Sequence, residues 1–181
     1  MTDFPLLTTT RLTLRQLRYS DADAMLTVRG DAHAMRLMGR DTLQNLEEAN
    51  QQIAHFLAET KGPIPAYRWA LERNEDNAFL GTCGIFGWVK QWRKATIGYE
   101  LGRFAWGNGY MHEATSSILT WAFEAMALHR MDALIHPDNH ASLALAKRLG
   151  FKLEGRLRET AFWNETHHDM LQLGLLKAEM I

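Results

Sequence analysis

The sequence predicts an α/β fold, with one domain, a mixed central sheet of about seven strands and helices on both faces. Segments with alternating hydrophobic residues are interspersed with segments in which apolar residues recur every three or four positions. Three strand patterns precede a strand–helix–strand–helix–strand order, which requires parallel as well as antiparallel neighbours. The 181 residues, 46% of them hydrophobic, carry no linker or repeat, so a single core over 1–181 is expected.

The first third of the chain predicts one strand and two helices. Residues 11–17 alternate between leucine and polar side chains, which is typical of a half-buried strand. Ser20 is expected to cap a short helix that ends near Gly30, because serine is a favoured N-cap residue. Apolar residues then recur at helical spacing over 42–60, and the glycines and prolines of 62–65 predict a loop.

The rest of the chain predicts three strands, a helix, a strand, a helix and two closing strands. Their predicted ranges are 67–73, 79–89, 95–101, 111–127, 130–135, 139–149, 151–158 and 170–176. Gly150 follows the second of these helices directly, as expected for a helix end. The polar stretch 159–165 between the last two strands predicts a loop.

Composition excludes several classes of protein. A net charge of −1 argues against a general nucleic-acid or membrane-surface binder, and no apolar run approaches the ~20 residues needed to span a bilayer. The first ten residues have no basic region, so we expect no signal peptide. Cys83 is the single cysteine, which precludes an internal disulfide and favours a reducing compartment. A cytoplasmic protein is expected.

The most specific local signal is Trp106-Gly107-Asn108-Gly109-Tyr110, here called the glycine cradle, which directly precedes the helix expected from Met111. Two glycines allow the backbone to approach a ligand closely, since no Cβ is in the way. The helix N-terminus behind them directs N–H groups and a positive dipole end at the same place. The cradle therefore predicts a pyrophosphate site, which nucleotides, dinucleotides and coenzyme A would all suit.

Two nucleotide-binding motifs do not match the glycine cradle. A P-loop requires Gly-Lys-[Ser/Thr], but Gly109 is followed by Tyr110 and Met111. A dinucleotide fingerprint requires a third glycine, and His112 stands at that position. An enzyme that uses ATP or NAD at this turn is therefore disfavoured.

Short motifs along nearly the whole chain occur in a fixed order. They are Thr9-Thr10-Arg11-Leu12-Thr13-Leu14-Arg15 with Asp21-Ala22, Ile97-Gly98-Tyr99-Glu100-Leu101, the glycine cradle with Glu113-Ala114, His129-Arg130, Pro137-Asp138-Asn139-His140-Ala141-Ser142, Leu149-Gly150-Phe151, Glu154-Gly155 and His168-Asp169. In this order they resemble the GNAT family of acetyl-CoA-dependent N-acetyltransferases. Within it, the chain resembles the RimJ/RimL branch, whose founding members acetylate the N-termini of ribosomal proteins.

The resemblance implies a set of residues that bind acetyl-CoA as co-substrate. They are Leu101, Trp106, Gly107, Asn108, Gly109, Tyr110, Met111, Asn139, Ser142 and Arg148. Two positions depart from the family pattern: Phe104 replaces a Gln or Arg before the cradle, and Lys147-Arg148 replaces an acidic–basic pair. Both departures concern side-chain contacts to CoA phosphates and leave the backbone donors unchanged.

Two side chains are the candidates for catalysis. Glu100, shortly before the cradle, would act as general base, through water; an exposed strand carboxylate or ion-pair partner is the alternative. The resemblance implies that Ser142 protonates or orients the CoA sulfur, and the alternative is a part in helix capping with Asn139 as N-cap. The backbone N–H groups near Leu101 would polarise the thioester carbonyl.

The cysteine, the histidines and two neighbouring aromatic residues give less specific predictions about function. Cys83 has no paired base and is expected in the core. His136 and His140 are four apart, but Pro137 lies between them and no cysteine accompanies them, so no zinc site is expected. His168-Asp169 would lie at the acceptor entrance or order a strand, and Phe162-Trp163 is the expected functional aromatic patch.

The expected activity is direct acetyl transfer to an amine, with a ribosomal protein N-terminus as the acceptor that the resemblance implies. A small amine, such as an aminoglycoside, polyamine or amino-acid derivative, is the first alternative, and a non-catalytic acyl-CoA sensor the second. Residues 31–42 and 159–165 are expected to select the acceptor: an acidic, open groove would favour basic peptides, a closed aromatic pocket a small amine. The resemblance alone suggests a homodimer.

Overall fold

Eight strands and five helices form one mixed α/β domain in the computed structural model, which describes residues 4–180. The strands are β1 (Leu7–Thr8), β2 (Leu12–Gln16), β3 (Tyr67–Arg73), β4 (Phe79–Val89), β5 (Lys94–Leu101), β6 (Arg130–Ile135), β7 (Lys152–Trp163) and β8 (Thr166–Leu176). The helices are α1 (Ala22–Arg29), α2 (Ala32–Met35), α3 (Leu46–Glu59), α4 (Tyr110–Ala125) and α5 (His140–Arg148). Across residues 4–180, none of these helices combines the length and apolarity that crossing a membrane requires.

The sheet has the strand order β1-β2-β3-β4-β5-β6-β8-β7. Strands β1 to β5 form an antiparallel meander, β6 runs parallel to β5, and β8 pairs antiparallel with both β6 and β7. The parallel step requires a crossover, which α4 supplies. This arrangement confirms the predicted mixed sheet and adds β1, a two-residue strand too short to show a pattern.

The two faces of the sheet bury different helices. Trp69, Cys83 and Tyr99 lie side by side on neighbouring strands, on the face covered by α4. Their chain neighbours Ala70, Thr82 and Glu100 therefore lie on the opposite face, which α1 and α3 cover. The prediction of helices on both faces is confirmed, and Cys83 is a fully buried core residue as expected.

The predicted loop 159–165 is wrong, because β7 continues through Trp163 and only Asn164 and Glu165 form the turn to β8. A bulge with Glu159 in the left-handed region interrupts the pairing, and Asp169 holds it by accepting hydrogen bonds from the Glu159 N–H (2.8 Å) and Arg156 Nε (2.6 Å). Almost every β7 side chain is exposed, since β7 is an edge strand. Hydrophobic alternation, the usual signal, is therefore absent there.

Ser20 does not cap α1. It lies in a short 3-10 turn, and the N-cap residue of α1 is the neighbouring Asp21, whose side chain makes no capping bond to α1 and bonds to preceding residues. The Asp21 carboxylate accepts from the Arg18 N–H (2.8 Å) and from both Arg15 Nη atoms (2.9 and 2.8 Å). Arg15 also donates to Glu72 at 2.6 Å, so a buried ion-pair network fixes the start of α1 against the sheet.

Replacing Asp21 with alanine should destabilise the fold strongly, because the Arg15 guanidinium would remain buried without its bidentate partner. Removing one member of a buried pair costs about 3–5 kcal/mol. Urea unfolding measures the loss, with Asp23→Ala on the exposed side of α1 as the matched control, expected below about 1 kcal/mol. Equal losses for both variants would contradict this role of Asp21.

Candidate active site

Strands β5 and β6 diverge, and the opening between them, here called the β5–β6 gap, is the centre of the site. They pair at Lys94–Arg130, Ala95–Met131 and Thr96–Asp132, and their pairing ends there. Beyond this point β5 remains paired with β4 as far as Leu101, and β6 remains paired with β8 as far as Ile135. Each strand is thus held by its other neighbour while the two edges separate.

Backbone groups of β5 point into this gap. The Gly102 N–H donates to the Leu80 carbonyl of β4 at 2.9 Å, which identifies alternate β5 residues as the ones bonded to β4. The intervening residues Tyr99 and Leu101 therefore direct their N–H groups toward β6. The Leu101 carbonyl accepts from Trp106 Nε1 at 2.9 Å, so the Leu101 N–H is the polar group aimed into the gap near the cradle.

The glycine cradle has the geometry of an anion site. Gly107 and Gly109 both have φ of 77°, in the left-handed region that favours glycine. An added Cβ at Gly107 would meet no atom within 4 Å, so the space beside it is open. Gly109 is the N-cap of the 16-residue helix α4 and no side chain caps it, which leaves the first-turn N–H groups available to a pyrophosphate.

Arg11 and Glu113 tie the β1–β2 turn to the cradle. The Glu113 carboxylate accepts hydrogen bonds from the Thr9 hydroxyl (2.6 Å), the Arg11 N–H (2.8 Å) and Arg11 Nε (2.7 Å). Arg11 Nη1 donates to the Asn108 carbonyl at 2.9 Å, and its guanidinium lies 4.6 Å from the Tyr110 ring centre. Both residues stood in the family motifs, but sequence reasoning gave neither a role in shaping the cradle.

Asn139 and Ser142 lie at the N-terminus of α5, on the α4 side of the sheet. The Asn139 side chain accepts from the Ser142 N–H at 3.1 Å, which shows Asn139 as the N-cap that the sequence predicted. The Ser142 hydroxyl is hydrogen-bonded to the Tyr99 hydroxyl at 2.8 Å. Burial raises the pKa of Tyr99 to about 12, so this hydroxyl stays protonated and fixes Ser142 beside the β5–β6 gap.

Glu100 lies on the opposite face, among arginines. Its carboxylate accepts a hydrogen bond from the Thr82 hydroxyl and lies 3.5 Å from Arg68 Nη1. Burial alone would raise the pKa of Glu100, but Arg68, Arg29 and Arg40 outweigh it and lower the pKa below its ordinary value. Glu100 is therefore an ionised, hydrogen-bonded carboxylate at neutral pH. The surrounding groove is basic, unlike either the acidic groove or the closed aromatic pocket considered from sequence.

The β7–β8 hairpin packs against the segment that follows α2. Trp163 Nε1 donates to the Arg36 carbonyl (3.1 Å), and the Asn164 N–H donates to Asp41 (2.9 Å). Trp163 is 1% exposed and stacks on His168 at 3.6 Å, whereas Phe162 is 61% exposed. The predicted aromatic patch is therefore wrong for Trp163, which is a buried side chain that holds the hairpin against the segment after α2.

His136 continues β6 at the gap. It follows the last residue of β6, beyond the point at which β6 is paired with β5. Burial lowers the pKa of His136, and its Nδ1 accepts from the Asp138 N–H at 3.1 Å, so the ring is neutral and already engaged. Among residues 4–180, no group of three or more His, Cys, Asp or Glu is placed to hold a metal ion.

Two other predicted residues lie apart from this centre. Arg148 is exposed at the C-terminal end of α5, roughly 9 Å along the helix axis from Ser142. Met111 is buried in the core, so only its backbone N–H can serve a ligand. The fold thus brings Leu101, the cradle, Asn139 and Ser142 to one side of the sheet and Glu100 to the other, with the gap between them.

Comparison with known proteins agrees with this geometry. Residues 11–152 match the family model described as acetyltransferase (GNAT) domain. The uncharacterised N-acetyltransferase YoaA of Bacillus subtilis is 33% identical over 96% of this chain and 98% of its own length. The chain belongs to the GNAT acetyltransferase family.

Solved structures share the whole fold at low identity. The ribosomal L7/L12 α-N-protein acetyltransferase RimL, in complex with coenzyme A, has a TM-score of 0.82 and 21% identity, covering 95% of this chain and 98% of its own. Spermidine N-acetyltransferase from Vibrio cholerae, in complex with CoA and spermine, has a TM-score of 0.81 and 18% identity, covering 94% and 98%. The protein is an acetyl-CoA-dependent N-acetyltransferase. The shape of the site is compatible with that co-substrate, since the open cradle suits a pyrophosphate and the β5–β6 gap suits the extended arm of coenzyme A.

Replacing Gly109 with alanine should weaken CoA binding about tenfold. A residue with a Cβ in the left-handed region costs about 1–2 kcal/mol, and relief of that strain would move the α4 N-terminus out of position. Calorimetric titration with CoA measures the change. Gly155→Ala is the matched control, since its added Cβ meets no atom within 4 Å and its φ is not positive; loss of affinity there too would contradict the prediction.

Proposed function

We propose that this GNAT enzyme transfers acetyl from acetyl-CoA to the α-amine of a protein N-terminus. One observation carries the proposal: the β5–β6 gap separates the cradle side, with Ser142, from the face that holds the ionised Glu100. Acetyl-CoA and the amine can therefore approach from opposite faces and meet at the gap. Bound acetyl-CoA supplies an activated thioester, and direct transfer needs no covalent enzyme intermediate.

The side chains of the gap have distinct parts in this proposal. The Leu101 N–H, aimed into the gap, polarises an acyl carbonyl oxygen. The Ser142 hydroxyl, held by Tyr99, donates a hydrogen bond to the departing sulfur. A pKa of about 12 makes Tyr99 a far weaker acid than a thiol of pKa ~8.5, so Tyr99 positions Ser142 and does not itself lose a proton.

The lowered pKa of Glu100 supports an α-amine as acceptor. A carboxylate with a depressed pKa is a weak base, suited to orienting the amine and taking its proton through water. An α-amine has a pKa of ~8 and is partly unprotonated at neutral pH, whereas a lysine amine of ~10.4 would need a stronger base. RimL, whose name specifies an α-N-protein substrate, has the same fold, which is consistent with this acceptor and with a ribosomal target.

The cellular compartment, the way the acceptor is recognised and the oligomeric state are also proposals. Cys83 is the only cysteine, and burial raises the pKa of its thiol to about 12, which makes it unreactive and compatible with the reducing cytoplasm. The net charge of −1 gives no attraction to nucleic acid as such, so a ribosomal acceptor would be recognised as protein. A homodimer stays a prediction from the family resemblance.

Acetyl-CoA turnover, followed as free thiol, tests the acceptor against short peptides with varied N-termini, polyamines, aminoglycosides and amino acids. We expect peptides to be the best substrates. Glu100→Gln should lower kcat by about 10²-fold or more, and Ser142→Ala should lower kcat without weakening CoA binding. Turnover of small amines alone would overturn the N-terminal proposal. CoA binding without any turnover, or turnover indifferent to Glu100→Gln, would overturn the catalytic roles.

The pH dependence of kcat/KM should follow the pKa of the acceptor amine and not that of Glu100. Because the pKa of Glu100 is lowered, its carboxylate is already ionised at pH 6 and adds no step to the profile above it. The value of kcat/KM should therefore rise with pH as the α-amine loses its proton near pH ~8, and then level off. Initial rates between pH 6 and 9.5 with two peptides of different amine pKa measure this dependence. The same midpoint pH for both peptides would contradict the prediction.

A further inference from the structure

Three arginines from three separate segments converge on Glu100. Arg68 lies on β3, Arg29 ends α1, and Arg40 lies in the segment between α2 and α3. All three act on the Glu100 carboxylate and on one another electrostatically. Such a concentration of like charge is costly unless something negative is bound there, and one carboxylate is too little to balance it.

Of the three arginines, Arg29 has the positive charge that its surroundings offset least. It is only 3% exposed, and within residues 4–180 its buried Nε and Nη1 atoms have no hydrogen-bond partner. Burial lowers its pKa, but an arginine keeps its proton in proteins. A buried guanidinium with orphaned donors therefore contributes its full positive charge to the surroundings of Glu100.

Arg68 and Arg40 line an open pocket beside this buried charge, here called the arginine pocket. Its other walls include Phe56 and Glu59 of α3 and Ile85 of β4, and its free volume is about 80 Å³. That volume admits a small group such as a carboxylate and is too small for a whole drug-sized ligand. Arg68 is fixed by hydrogen bonds to Thr82 (3.3 Å) and the Gly98 carbonyl (3.2 Å), with its guanidinium 4.8 Å from the Phe56 ring centre. Arg40, in contrast, is exposed at the mouth.

The charge count at the pocket is positive. Glu100 and Glu59 are the carboxylates among the groups named, against three guanidinium groups. Glu59 is partly exposed at the rim, where it also faces His55 at 3.4 Å, so its charge is screened by solvent. The inner part of the pocket therefore attracts anions and repels polyamines and aminoglycosides.

We infer that the acceptor carries a carboxylate close to its reactive amine, and that the arginine pocket binds this carboxylate while Glu100 receives the amine. The inference rests on the proposed function and makes the preferred substrate an N-terminus with Asp or Glu among its first residues. Arg40 and Arg68 contact the carboxylate, as guanidinium groups bind carboxylates with paired hydrogen bonds. Arg29 acts from behind as a specificity-determining charge.

Matched peptides test this inference. Two C-terminally amidated peptides, identical except for Asp or Asn at the second position, differ only in the carboxylate of interest. Wild-type kcat/KM should favour the Asp peptide by about tenfold or more, and added salt should reduce the preference. Arg40→Gln should abolish most of the preference, read as the ratio of kcat/KM for the two peptides, because it removes an exposed guanidinium that the inference assigns to the carboxylate and leaves no buried cavity.

Arg36→Gln is the control variant, since Arg36 is also exposed, lies four residues before Arg40 and makes its contact to Trp163 through the backbone. It should keep the preference for the Asp peptide. Arg29→Met is examined after its unfolding curve shows that it folds, and it should also lose the preference. Equal kcat/KM for both peptides in the wild type, or a preference that survives Arg40→Gln, overturns the inference.

Small amines separate this inference from the proposed function. Glycine and glycinamide form a second matched pair, and a preference for glycine without any peptide turnover would keep the carboxylate site while overturning the N-terminal acceptor. If neither pair is acetylated, calorimetric titration of the CoA-bound protein with the Asp and Asn peptides decides. Tighter binding of the Asp peptide supports the arginine pocket, and equal or absent binding of both overturns it.

Discussion

The divergence of β5 from β6 is the constraint on which the site depends. A parallel pair that stayed in register would satisfy its own backbone groups and leave no opening. Here β4 holds β5 and β8 holds β6, so the two edges separate after Thr96 and Asp132 without loss of the sheet. The Leu101 N–H is thereby directed into the opening, and the glycine cradle lies at the start of the helix that crosses between the strands.

Strand alternation divides the chemistry between the two faces of the sheet. Tyr99 and Glu100 are adjacent in the chain and therefore point to opposite sides. Tyr99 reaches Ser142 at the N-terminus of α5, and Glu100 reaches the arginines under α1 and α3. In the proposed reaction, acetyl-CoA and the acceptor amine need not share a pocket, since the gap connects the faces.

Positive charge dominates on both sides of the β5–β6 gap, but it has a different role on each side. On the cradle side, the positive end of α4 suits a pyrophosphate, and Glu113 is occupied with Arg11 and Thr9 and does not repel the ligand. On the acceptor side, arginines overcome the burial of Glu100 and keep it ionised. In the inference drawn above, the excess of positive charge there constrains the acceptor more narrowly than the fold does, because proteins with this fold are named for acceptors as different as a ribosomal protein and spermidine.

The sequence by itself determined the order of the elements other than the short β1 and α2, the glycine cradle and the Asn139 cap, because these depend on local spacing, glycine backbone freedom and capping chemistry. It also singled out Glu100 and Ser142 as the side chains to consider. Only the tertiary structure decided that Glu100 is surrounded by arginines distant in sequence, and that Trp163 is buried in a strand. The physical reason is that burial, pKa and the divergence of two strands arise from contacts between segments far apart in the chain, which no local pattern records.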